Sequence, residues 1–347
     1  MLAASAADFN DMSQQKLGAA IFGAGWVATQ HARAYQNCPR TELVAIGSRR
    51  EESARNLADG CGADQALIFT DFEDILARDE VDIISITTPP ELHPELAIRA
   101  ARAGKHLCIE KPLALDWQSC LDVQKVARES GVKTLVSFVL HWNPALQNVR
   151  NLIEKGAIGR PYYIEVDYWH GKTKNRQGSS LLAAGGHAVD ALRWFAGVEN
   201  EVVEVFAHSI PRLGHDLNWD FEPTTVFLCK FADGTVGKVS SALDCIMPYS
   251  FNVDVLGTRG TIRDNRMWSE ELFPGQTDWA TIPTVLPDSG DVSYHPFDGQ
   301  IEALVAAILD DVPCLPDVDD AVKTHQLIFA ADLSARTGQP VRFASEK

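Results

Sequence analysis

No apolar run in this 347-residue chain approaches the roughly 18 residues needed to span a bilayer, so a membrane partner is not expected. Residues 1–15 carry Asp8 and Asp11 and lack both a basic start and a long apolar stretch. That makes a poor secretory signal, and residues 1–16 are expected to be a disordered leader. The seven cysteines, at 38, 61, 108, 120, 229, 245 and 314, contain no C-x-x-C pair. Their odd number and wide spacing suit reduced thiols in the cytoplasm better than a disulfide framework or zinc site. Basic charge is in deficit: 31 Lys and Arg against 47 Asp and Glu give a net charge of -16. A nucleic-acid partner, which needs clustered cations, is therefore not expected. The same charge disfavours strongly anionic substrates unless the local field of a cleft opposes it. His215, Asp216 and Asp220 do not form a ligand pattern, and no metal is expected.

What is present fits a globular protein of two domains: 46% hydrophobic and 22% charged residues in a chain too long for one ordinary core. In the first half, strand-like stretches at 17–22, 42–46, 66–69, 81–87, 106–109 and 134–139 alternate with helix-like stretches at 27–36, 51–58, 71–77, 91–103 and 117–130. Such alternation predicts a parallel, doubly wound α/β sheet over residues 17–139. Ligands of that fold sit at the carboxyl ends of the strands.

The first strand runs into Gly23-Ala24-Gly25-Trp26-Val27-Ala28. Gly23 permits a tight turn, Gly25 lets backbone approach a pyrophosphate, and Ala28 allows close helix–strand packing. The N–H groups of the following helix then face the phosphates. The second strand ends in Gly47-Ser48-Arg49-Arg50 rather than in the Asp or Glu that would bind a ribose 2′-hydroxyl. A hydroxyl and two guanidinium groups favour NADP over NAD, because Arg pairs with phosphate. The alternative is that Arg49 and Arg50 are simply solvated at a helix start.

Glu110-Lys111-Pro112 follows a buried strand, which puts Lys111 at the carboxyl edge of the sheet where a nicotinamide would lie. There Lys111 can hold a substrate hydroxyl or pass it a proton; a plain surface lysine is the competing reading. In the second half, Gly185-Gly186-His187-Ala188-Val189-Asp190 opens a helix ending near Gly197. Helical spacing puts His187, Asp190 and Trp194 on one face. His187 suits proton transfer near neutral pH, with Asp190 orienting its ring or capping the helix. A structurally packed His187 is the alternative.

With these residues in view, the chain resembles the glucose-fructose oxidoreductase / inositol dehydrogenase / MocA (Gfo/Idh/MocA) family over nearly its whole length. The resemblance rests on the Gly23 turn, on Thr88-Pro89-Pro90-Glu91-Leu92-His93, and on Ala103-Gly104-Lys105-His106 running into Glu110-Lys111-Pro112. Gly186-His187 with Asp190, and Ser334-Ala335-Arg336-Thr337-Gly338, complete it. It implies an N-terminal Rossmann domain, then a substrate-binding and oligomerisation domain over 140–347 with a large, mostly antiparallel open sheet. The C-terminal helices would be free to return to the first domain. Strand-like stretches at 162–169, 202–210, 225–231, 235–242 and 251–256 agree, as do turns at 232–234 and 257–260 and helices at 298–309 and 319–336.

The resemblance further implies hydride transfer between a nicotinamide and a secondary alcohol or ketone of a sugar, polyol or related carbohydrate. Lys111 and His187 would be catalytic. The cofactor, NADP or NAD, would meet Gly23, Gly25, Trp26, Val27, Ala28, Ser48, Arg49, Arg50, Thr87, Thr88, Pro89, His93, Glu110 and Lys111. A homodimer or homotetramer is implied. One position departs from the pattern: Ala183 stands where many members carry an Asp four residues before the histidine. Tyr168, His170 or Asp190 would compensate, or Lys111 and His187 suffice.

Trp142 and Asn143 leave the first domain with an aromatic face and an amide suited to a sugar, and Tyr168 and His170 end a strand nearby in sequence. Together with Lys111 and His187 these are the expected substrate contacts. Lys172, Lys174 and Arg176 follow in a basic loop. Two other functions stay open: an NAD-assisted glycoside-cleaving enzyme with transient hydride transfer, and a cofactor-binding sensor without catalysis, which Ala183 keeps in play.

Overall fold

The computed structural model describes residues 16–171, 177–211, 220–284 and 295–343. Residues 1–15 of the expected leader, and Lys172, Lys174, Arg176, His215 and Asp216, lie outside these. The chain forms two compact units. The first comprises residues 1–114, 118–137 and 297–319, and the second residues 115–117, 138–296 and 320–347.

The first unit is a six-stranded parallel sheet built from β1 (Leu17–Phe22), β2 (Thr41–Gly47), β3 (Leu67–Phe69), β4 (Ile83–Ile86), β5 (His106–Ile109) and β6 (Thr134–Val136). Its order is β3-β2-β1-β4-β5-β6, with every neighbouring pair parallel. The order reverses between β1 and β4, which opens a crevice beyond their carboxyl ends. β1 and β4 are buried along their whole length, as a strand covered on both faces must be.

Helices α1 (Trp26–Asn37), α2 (Glu51–Cys61), α3 (Phe72–Leu76), α4 (His93–Arg102) and α5 (Trp117–Ser130) connect the strands. α8 (Phe297–Leu309), from far along the chain, also belongs to this unit and packs on α1. Two expected elements are shorter than their sequence pattern. The stretch 91–103 divides into a 3-10 turn at Pro90–Leu92 and a helix from His93, because Pro94 has no N–H and fits only a first helical turn. The stretch 134–139 stops as strand at Val136, and Val139–Trp142 forms a 3-10 turn.

The second unit holds a nine-stranded sheet, ordered β14-β13-β12-β11-β7-β10-β9-β8-β15. Its strands are β7 (Pro161–Gly171), β8 (Val202–Ile210), β9 (Thr224–Phe231), β10 (Val236–Cys245), β11 (Ser250–Gly257), β12 (Gly260–Arg263), β13 (Arg266–Ser269), β14 (Ala280–Thr281) and β15 (Val341–Arg342). All its neighbours are antiparallel except β7 and β10. Period-two alternation sends Ile164, Val166 and Tyr168 of β7 into a core they share with α6 (Pro144–Glu154) and α7 (Gly186–Ala196). Leu327, Ile328 and Ala331 of α9 (Val318–Thr337) join it. The opposite face leaves Phe206, Ile210 and Leu228 exposed. Among the described residues no helix is long and apolar enough to cross a membrane.

Candidate active site

In the first unit the glycine turn after β1 forms one wall of a cradle. Gly23 has φ +118°, and a Cβ there would meet the Thr87 carbonyl at 2.5 Å, so no other residue fits. A Cβ on Gly25 would meet nothing within 4 Å: the space in front of it is open. Gly25 also caps α1 without a side chain, leaving the N–H groups of the first turn, at Trp26 and Val27, without a side-chain cap. Ala28 is fully buried under the helix. Trp26 is half exposed, with its edge on Phe297 at 6.4 Å.

The cradle continues into a cavity of about 730 Å³ lined by Gly23, Ala24, Ser48, Arg49, Arg50, Thr88 and Pro89, among others. Arg49 and Arg50 are exposed and form no ion pair among the described residues. Arg99 on the same lining is already neutralised by Glu73 and Glu95, with its guanidinium 5.3 Å above the Phe72 ring. The Thr88 hydroxyl is buried without a hydrogen-bond partner at this lining. Open space over Gly25, uncapped N–H groups and an orphaned hydroxyl fit a dinucleotide with its pyrophosphate over the helix start.

Other residues expected to touch the cofactor also hold the frame. The Thr87 hydroxyl donates to the carbonyls of Phe22 or Gly23, each 3.3 Å away, and pins the turn. His93 is buried, its ring nitrogens 2.8 Å from the Pro112 carbonyl and 2.9 Å from that of Thr88. Both ring nitrogens are thereby engaged, and His93 ties the Thr88 loop to the turn carrying Lys111.

Glu110 is likewise turned inward. Its Oε1 accepts from His31 Nε2 at 3.0 Å, and its Oε2 from the Lys111 N–H at 3.2 Å. Because the carboxylate only accepts, His31 Nε2 carries the proton and Nδ1 accepts from Ser85 at 2.9 Å. Tyr35 then donates to Ser85 at 2.8 Å, which completes a buried one-way chain ending on Glu110. Burial alone would raise the Glu110 carboxyl, but the His31 contact and the nearby Lys111 outweigh it, and its pKa falls below the ordinary value. Lys111 itself is partly buried directly after β5, joined to Pro112 by a cis peptide bond.

In the second unit a π-helical turn, Leu181–Gly185, leads into α7 and His187. A Cβ on Gly185 would strike Ser241 at 2.6 Å, so glycine lets this turn lie directly on β10. Ser241 donates to the Ser180 carbonyl at 3.0 Å, and Ser180 to Thr225 at 2.8 Å, which fixes the turn to two strands. The buried His187 ring then lies 6.0 Å from Phe138, 6.2 Å from Tyr168 and 6.1 Å from His295. Tyr168 stacks on His170 at 6.3 Å and meets Tyr249 edge-on at 5.2 Å. Tyr168, His170 and His187 are thus brought together.

Two expectations change here. Asp190 does not orient His187: its Oδ2 accepts from His141 Nε2 at 2.5 Å, and the His141 ring stacks on Trp194 at 4.3 Å. His187 and Asp190 share a helix face by spacing, yet their side chains meet different neighbours. Asn143 is not presented to a substrate. It is buried as the N-cap of α6, its Oδ1 accepting from the Ala145 N–H at 2.9 Å. Ala183 is buried within the π turn and supplies no acid. Trp142 remains partly exposed, with its ring 6.1 Å from His141.

Tyr249 and His295 escaped the sequence reading. Tyr249 lies in phase with the buried Phe251, Val253 and Val255, so extending that alternation by one step would have placed it on the inner face. His295 lies beyond any regular element, and nothing in its neighbourhood signals it. A second cavity of about 800 Å³ in this unit is lined in part by Asp220, Glu222, Asp332 and Arg336.

With the geometry established, the comparisons define the class. Residues 17–138 match the model of the oxidoreductase family with an NAD-binding Rossmann fold, and residues 146–263 match the GFO/IDH/MocA C-terminal domain. The chain belongs to the Gfo/Idh/MocA family, and it is an NAD-binding oxidoreductase of the dehydrogenase type. It is 29% identical to the 4-carboxy-2-hydroxymuconate-6-semialdehyde dehydrogenase of Sphingobium over 83% of this chain and 89% of that one. It is 26% identical to the inositol 2-dehydrogenase of Rubrobacter xylanophilus, over 94% of this chain and 93% of that one. Among solved structures, GenD2 from gentamicin A biosynthesis in complex with NAD aligns with a TM-score of 0.81 at 25% identity, covering 95% of this chain and 97% of that one.

Proposed function

We propose that this enzyme transfers a hydride between a nicotinamide and a secondary alcohol or ketone of a sugar, polyol or related carbohydrate, with Lys111 and His187 as its acid/base and substrate-positioning groups. The observation that carries this reading is the setting of Lys111: it follows β5 directly, and its own N–H is held by a Glu110 carboxylate that the His31 chain keeps ionised. A lysine fixed in this way points to chemistry rather than to a solvated surface charge. When bound, NAD(P) supplies the hydride acceptor or donor. Gly23, Gly25 and the first turn of α1 hold its phosphates, with Thr88 and Pro89 beside them. Lys111 holds the substrate oxygen and exchanges its proton, and His187 is the second group assigned to proton exchange. The names of relatives include inositol dehydrogenases and a 4-carboxy-2-hydroxymuconate-6-semialdehyde dehydrogenase, so both neutral and acidic substrates fall within the reading.

NADP is the favoured cofactor, because Ser48, Arg49 and Arg50 line the cavity and neither arginine is neutralised by an ion pair. The exposed Phe206, Ile210 and Leu228 on the open sheet face suit self-association as a homodimer or homotetramer. Seven free cysteines suit a cytoplasmic setting. The test is a panel of sugars, polyols and their keto forms with both cofactors, read as NAD(P)H absorbance, alongside the Lys111→Met variant. Turnover in wild type and its loss in the variant support the reading. Tight cofactor binding with no turnover on any member would favour the sensor instead.

A further inference from the structure

Residues 297–319 return to the first unit after a long passage through the second, and α8 opens that segment. Among the buried residues of α8, Gln300 alone is polar. One terminal atom of its carboxamide lies 2.8 Å from the Ser137 hydroxyl, and the other 3.4 Å from His31 Nε2. His31 Nε2 carries the proton that Glu110 accepts, and two donors do not face each other. The Gln300 oxygen therefore lies toward His31, and its nitrogen donates to Ser137. That leaves the Ser137 proton for Glu110, whose carboxyl Ser137 helps to lower. Phe297, on the same helix, sets its ring 5.5 Å from that of His31.

His31, Ser137 and Gln300 are all fully or almost fully buried, and none lines the cofactor cavity. Polar side chains in such a place cost stability unless each is satisfied, and apolar ones would fill the same space more cheaply. These three converge on Glu110, and the second oxygen of that carboxylate accepts from the Lys111 N–H. A carboxylate held by donors from separate stretches of chain has little freedom to turn, and so neither has the backbone it holds. We infer that His31, Ser137 and Gln300 are positioning residues for the reaction: acting through Glu110, they fix the backbone from which Lys111 reaches the substrate oxygen. Helix α8 is then part of the apparatus that prepares Lys111, not only a cover for α1. This rests on the role proposed for Lys111 and deepens it.

The experiment measures kcat, KM and NAD(P) affinity for Gln300→Met, Ser137→Ala, His31→Leu and His31→Gln, each alone and combined with Lys111→Met, on a substrate that the wild type turns over. Hydrogen exchange at the Lys111 N–H, followed by mass spectrometry, gives a readout that needs no turnover. Gln300→Met and His31→Leu should each lower kcat about tenfold or more, with KM and cofactor affinity moved by no more than about twofold. Ser137→Ala removes one donor and should act in the same direction. His31→Gln keeps an N–H that can reach Glu110 and should recover most of the rate. In the Lys111→Met background the same substitutions should cost nothing further, because what they position is gone. Exchange at the Lys111 N–H should quicken about tenfold or more in Gln300→Met while the amides of β1 stay protected. If His31→Leu does not fold, Gln300→Met and Ser137→Ala carry the comparison. Wild-type kcat in these variants, unchanged exchange, or an equal loss with and without Lys111 overturns the inference and leaves the oxidoreductase reading standing. No turnover by the wild type, or near-normal kcat in Lys111→Met, fails that reading and the inference with it.

Discussion

His141 Nε2 lies 2.5 Å from Asp190 Oδ2, so the single carboxylate of the helix that carries His187 is engaged by a different histidine. Burial raises the Asp190 carboxyl, and the attraction of His141 offsets part of that rise. The pair therefore serves packing around Trp194 rather than proton transfer at His187. Asp190→Asn should lower stability by about 1–3 kcal/mol, seen as a reduced Tm. The shape of the pH–rate profile of the remaining activity should be unchanged. A variant with wild-type Tm and a displaced profile would return Asp190 to the reaction.

His187→Ala should slow turnover by about 100-fold or more and flatten its dependence on pH around neutrality, as the acid/base role proposed for His187 requires. Steady-state rates measured across neutral pH check this. A profile that keeps its shape in the variant would place the titrating group elsewhere.

Arg49→Ala should weaken NADP far more than NAD. A guanidinium facing a 2′-phosphate is lost in one case, and only a solvated side chain in the other. Fluorescence titration with both cofactors measures it. Equal losses would mean that Arg49 is only a solvated residue at the start of α2.

Two buried carboxyls predict opposite responses to pH. Glu110 is held below its ordinary value of 4.5, so its ionised form adds stability above that value, and this is lost as pH falls through the folded pKa. Glu110→Gln should therefore lower Tm at neutral pH, with a difference from wild type that narrows in acid. Asp332 is pushed up to about 6 from 3.8, chiefly by burial, with Ser179 and Arg336 lowering it and Glu222 raising it. Its charge destabilises the fold, and this penalty develops between 3.8 and about 6 and is complete above. Asp332→Asn should stabilise at pH 7 by up to about 3 kcal/mol and make no difference near pH 4. Melting curves of both variants across pH carry the test, and a shared sign would contradict the account.

The alternation of apolar strands with helices was enough to read the doubly wound sheet, because strands buried on both faces leave continuous apolar runs such as those of β1 and β4. Gly23 and Gly25 could be read as a cradle from their spacing after the first strand; Gly23 is held there by its positive φ and the close Thr87 carbonyl, and Gly25 faces open space. The inward turns of Glu110, His93 and Asn143 could not. Each lies beside a motif in sequence, yet its partners, His31, Thr88 and the Ala145 N–H, are set by how the chain packs or caps. The substitution of Ala for Asp at 183 was visible. What surrounds His187 instead was not, since Phe138, Tyr168 and His295 come from three distant stretches of chain.

The most direct measurement is cofactor binding and turnover by Lys111→Met side by side. The account predicts NAD(P) affinity close to wild type, since the cradle is built from Gly23, Gly25 and Thr88, together with a fall in kcat of at least about 100-fold on whichever substrate the wild type uses. A variant that keeps near-normal kcat would contradict the role given to Lys111 and, with it, the proposed chemistry.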